Sequence, residues 1–132
     1  MALALVAAVP GPAAASDPRV FACEVLTARQ LTDDGTLAPS PYSRMLLDGG
    51  LRITFDEKNG RLDRELQDGR LAQRSFIVVQ RGDATTDLLA RLTSSARNSG
   101  PHDILRIRVS APAMPFVYLE SDLVVTGTCT AG

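Results

Sequence analysis

Along this chain apolar and polar residues alternate in short stretches separated by turn-forming residues. A period of two marks strands with one face buried and one in water. Residues 51–55 (Leu-Arg-Ile-Thr-Phe) alternate cleanly. Residues 104–109 (Ile-Leu-Arg-Ile-Arg-Val) set Ile107 and Val109 inward and leave Arg106 and Arg108 to solvent. Residues 75–79 (Ser-Phe-Ile-Val-Val) are dense in β-branched side chains and predict a central strand. Further strands are predicted over residues 20–27, 116–120 and 123–130.

The turns carry equal information. Asn59-Gly60 follows the strand at 51–55 and signals a hairpin, because both residues tolerate positive φ. Its return arm starts at Arg61-Leu62 and ends before Asp68-Gly69. Residues 32–36, Arg81-Gly82-Asp83 and Ser121-Asp122 mark more turns, while residues 38–42 and 94–101 read as loops. Pro112 and Pro115 stiffen the loop at 111–115 by fixing φ and removing two donors. Residues 28–31 predict a helical turn closing the first strand, and residues 42–47 a short strand. Residues 87–93 fit strand or helix, since Leu88, Leu89 and Leu92 have helical spacing.

About seven or eight short strands joined by tight turns predict an all-β antiparallel meander. The only two cysteines, Cys23 and Cys129, fall in its first and last strands. A disulfide between them would bring the ends of the meander together. Closure into a barrel then removes exposed strand edges; a two-sheet sandwich is the alternative. The chain-entropy model credits such a bond with roughly 4–5 kcal/mol. Two separate buried thiols are the other reading of the pair.

Composition narrows the function classes. The 132 residues suit one domain, and 45% hydrophobic with 22% charged residues is a globular balance. A net charge of -1 leaves no basic footprint for nucleic acid. Arginines scattered singly (Arg29, Arg44, Arg52, Arg61, Arg70, Arg81, Arg91, Arg106) predict a solvated surface. Aromatic residues at 5% supply no stacking platform for bases or sugars.

Candidate chemistry is sparse. His102 is the only histidine, which excludes a histidine-rich metal centre and leaves no base beside a candidate nucleophilic serine. Asp33-Asp34, Asp56-Glu57 and Asp83 with Asp87 are the carboxylate pairs, all placed where turns are expected. Residues 56–60 fail the calcium-loop pattern because Lys58 takes the third position. Asp48-Gly49-Gly50 lacks the lysine of a phosphate loop, and Arg81-Gly82-Asp83 is explained by its turn. The chain is therefore expected to be no enzyme and to hold neither metal nor cofactor.

Residues 1–16 read as an export signal: an apolar run over 2–9, a break at Pro10-Gly11-Pro12, then small residues before cleavage after Ala15 or Ser16. No Lys or Arg follows Met1, and the alternative is an apolar N-terminal strand or helix. The run is too short to span a bilayer. Val20-Phe21-Ala22-Cys23 loosely matches a lipid-attachment box, but Asp17-Pro18-Arg19 separates it from the apolar run. Residues 17–132 are then a single barrel domain, periplasmic or secreted, where disulfides persist.

One surface stands out as a candidate binding site: Met114, Pro115, Phe116 and Tyr118, a thioether and two aromatics beside a rigid loop. Otherwise Phe116 and Tyr118 point into the core while Met114 caps the barrel. The expected function is an exported non-enzymatic binding module acting on a protein partner, as inhibitor or accessory subunit. The alternative is a carrier of a small apolar ligand in the barrel interior.

Phe55-Asp56, Asn59-Gly60-Arg61-Leu62, residues 75–82, Leu105-Arg106-Ile107, Met114-Pro115-Phe116 and residues 126–129 together resemble a group of small exported bacterial proteins. The resemblance covers most of residues 17–132 and implies fold and compartment, with no activity attached. In outline the architecture is also similar to lipocalin- and avidin-type barrels. Their Gly-x-Trp motif is missing, since the chain has no tryptophan.

Overall fold

The computed structural model describes residues 17–93 and 103–132. The export signal predicted over residues 1–16, the loop predicted over 94–101 and His102 lie outside the described residues. The elements in chain order are β1 (Val20–Leu31), β2 (Leu37–Ala38), α1 (Pro41–Asp48), β3 (Arg52–Asp56), β4 (Arg61–Glu65), β5 (Leu71–Gln80), β6 (Leu88–Leu92), β7 (Ile104–Ile107), β8 (Pro115–Glu120) and β9 (Leu123–Ala131).

From β3 to β9 each strand pairs antiparallel with the next. β1 pairs with β3 along one edge and with β9 along the other, which closes an eight-stranded barrel. β2 is an extra strand laid against the end of β1, with Leu31 opposite Leu37. The all-β meander and its closure into a barrel, rather than a sandwich, are as the strand pattern predicts. Cys23 and Cys129 face each other across the β1–β9 seam, 4.0 Å apart at Cα, and are joined by a disulfide. The bond is consistent with an oxidising, extracytoplasmic location.

Alternation puts one residue in two inside the barrel. Phe21, Ile53, Phe55, Leu62, Phe76, Leu88, Leu105, Ile107, Tyr118 and Val125 fill it, all buried. Phe76 sits at its middle, with its ring 6.3 Å from those of both Phe55 and Tyr118. Side chains therefore occupy the interior, as an eight-stranded barrel permits. At the seam β1 carries a bulge around Leu26, where its register with β9 shifts between Val25 and Thr27. A Cβ on Gly127 would lie 1.8 Å from the Glu24 carbonyl oxygen, so only glycine fits there.

Several elements differ from expectation. Residues 42–47 are not a strand but belong to α1. Ser40 caps the helix by accepting from the Ser43 amide at 3.0 Å, Ser43 Oγ accepts from the Ser40 amide at 2.8 Å, and Pro41 occupies the first turn. This reciprocal cap starts a helix where the apolar run alone suggested extended chain. Residues 28–31 do not turn but extend β1, because Ala28 to Gln30 pair with β9 and Gln30 and Leu31 with β2. The hairpin at Asn59-Gly60 forms around residues 57–60, a longer loop in which Gly60 alone takes positive φ, at 73°. Residues 88–92 are strand, since both edges of β6 find partners.

Candidate functional site

β8 decides the geometry of the candidate surface at its start. Phe116 and Tyr118 lie on the inward phase, 4% and 0% exposed, while Val117 between them faces outward. Met114 packs against the core from the rim, and Pro115 stays half-buried. This is the second of the two geometries considered for these residues. The aromatics are core, and the part of the set open to a partner is the Met114-Pro115 rim.

The same inward phase carries charges that the sequence reading did not single out. Arg64 lies two positions from Leu62 in β4, Arg74 two from Phe76 in β5, and Glu120 two from Tyr118 in β8. Asp103 lies two positions before Leu105. Strand pairing gathers all four at one end of the barrel. Arg64 Nη1 donates to Glu120 Oε1 at 2.9 Å, and Arg74 donates to the same oxygen and to Asp103 Oδ2 at 2.5 Å. Asp103, fully buried, also accepts from the Ser121 amide at 3.1 Å. Buried charges persist only when paired and hydrogen-bonded, and two guanidiniums against two carboxylates meet that condition.

The network reaches the surface through α1. Arg64 Nη2 donates to Tyr42 Oη at 3.0 Å, tying the helix to the barrel. Burial alone would lower the Arg64 pKa, but the Tyr42 hydrogen bond and the Glu120 charge outweigh it and raise the value. Burial pushes the Tyr118 hydroxyl well above the ordinary phenol range, with Glu120 adding to the effect. Arg64 Nε, Tyr118 Oη and Glu120 Oε2 are buried without hydrogen-bond partners.

Between α1 and the strands β4 and β5 runs a cleft of about 190 Å3. Met45, Leu46, Leu51, Leu66, Leu71 and Ala72 form its walls, and Tyr42, Arg64 and Arg70 supply its polar groups. Tyr42, Met45 and Leu71 on its rim are 41%, 38% and 51% exposed. The two counter-ions, Glu120 and Asp68, are not among the residues lining it. Two depressions of about 290 Å3 along β1, β3 and β4 are polar, edged by Glu24, Arg52, Glu65 and Thr128 in one and by Arg52, Glu65 and Gln67 in the other.

The carboxylate pairs do not converge on a common site. Asp34 accepts from Thr32 and Thr36, Asp56 from the Lys58 amide, Asp83 from the Thr85 and Thr86 amides, and Asp87 pairs with Arg106. Each serves its own turn or strand end. Glu57 is the exception, buried and held by Arg81, so that arginine is not the solvated group its isolation in sequence suggests. Among the described residues no cluster of His, Cys, Asp and Glu forms a metal site. No helix among them is long and apolar enough to cross a membrane.

No family model, curated protein or solved structure matches this chain.

Proposed function

We propose that the chain is an exported, non-enzymatic binding module that acts on a protein partner, as an inhibitor or accessory subunit. The observation that supports it most is where the space lies. Side chains fill the barrel interior, and the apolar cleft opens at one end of the barrel between α1 and β4–β5, rimmed by the exposed Tyr42, Met45 and Leu71. Methionine and tyrosine are over-represented at protein interfaces, where one anchoring side chain in a pocket often dominates affinity. Sites enclosing small molecules run from roughly 300 Å3 upward. The cleft, at about 190 Å3, is better matched to a single inserted side chain. The half-buried Met114-Pro115 rim is a second surface for the same role.

Export over residues 1–16 places the module in the compartment the disulfide favours. Native mass spectrometry of the chain recovered from the envelope fraction tests the reading. A stoichiometric complex with a second protein, weakened in a folded Leu71→Asp or Met114→Asp variant, is the expected result. Extra non-covalent mass of only a small organic molecule would instead favour a carrier.

A further inference from the structure

Resting on the protein-partner reading, we infer that the cleft between α1 and β4–β5 recognises an extended partner segment carrying an apolar side chain next to an acidic one. The walls are aliphatic and thioether, which suits an inserted Leu-, Ile- or Phe-sized group. Every charged residue lining the cleft is a cation, Arg64 or Arg70, and no carboxylate lines it. Arg64 is 9% exposed and fixed by Glu120 and Tyr42, so its charge is immobile at the cleft floor. Arg70 stands at the mouth, 66% exposed, with its Nε on Asp68 at 2.7 Å.

Tyr42 turns that buried charge outward. Its oxygen accepts from Arg64 Nη2, which leaves the hydroxyl proton to donate, and hydrogen bonds in series polarise one another. A carboxylate on the incoming segment would receive the Tyr42 hydroxyl and face the Arg70 guanidinium, while its apolar neighbour displaces water from Met45, Leu66 and Leu71. Charge complementarity therefore selects an acidic partner over a neutral or basic one.

Panning the oxidised full chain against a displayed library of random linear peptides tests this. The expected peptides carry Leu, Ile or Phe beside Asp or Glu. Their affinity falls by about tenfold with Arg70→Glu, an exposed substitution that spares the core, falls with added salt, and is unchanged by Met114→Asp. Selected peptides without acids, or affinities insensitive to Arg70→Glu, overturn the inference while leaving the protein-partner reading standing. Selection of no peptide also overturns it. If free hexanoate then shifts the NMR signals of Leu71 and Ala72, the cleft takes a small acid and the protein-partner reading fails with it.

Discussion

Single carboxylates in this protein do their work within a few residues of chain. Asp83 Oδ1 accepts from the amides of Thr85 and Thr86 and from the Thr85 hydroxyl, all between 2.7 and 3.0 Å. Those bonds favour the charged form and lower its pKa from 3.8 to about 2. A folded value below the unfolded one means the turn is fully supported above the ordinary carboxylate range. That support is lost as pH falls through about 2. An NMR titration of the Asp83 carboxyl is expected to show its midpoint near the lower figure, and a midpoint at 3.8 would contradict the turn geometry. A cap of this kind is legible in sequence because Asp83 and its donors are neighbours. The pairing of Glu120 with Arg74 and Arg64, across 46 and 56 positions, is not. Its sequence trace is subtler: each charge keeps the inward phase of an adjacent apolar residue, which local pattern reading assigns to a strand end.

At the scale of elements, α1 shows a signal that was present and outweighed. Ser40-Pro41 is a cap followed by a first-turn proline, yet Met45-Leu46-Leu47 reads equally well as extended chain. Removing the cap with Ser40→Ala is expected to cost about 1 kcal/mol in a denaturant titration. An unchanged midpoint would show that Leu46 packing and the Tyr42–Arg64 bond hold the helix without it. β6 illustrates the opposite case. Leu88, Leu89 and Leu92 have helical spacing, and only the ladders to β5 and β7 decide for strand, sending Leu88 and Ala90 inward. Short apolar runs stay ambiguous until their hydrogen-bonding partners are known.

At the scale of the whole molecule the β1–β9 seam is decisive, because it turns an open meander into a barrel without free edges in its main sheet. The Cys23–Cys129 bond crosses that seam and joins positions separated by 106 in sequence. Reduction is expected to lower stability by about 2–5 kcal/mol, read as a lower melting temperature with reductant present. An unchanged melting curve would mean that the β1–β9 ladder alone maintains closure.

Alternation, turn chemistry and two cysteines were enough to determine the all-β class, most of the strand series and the pair joined across the barrel seam, because each depends on neighbours in the chain or on a cysteine with one possible partner. Tertiary structure decided the rest: α1, the extra strand β2, the inward turn of Phe116 and Tyr118, and the cleft above the buried arginines. All of these rest on contacts between distant residues, and a buried charge is tolerated only where strands bring its counter-charge to it.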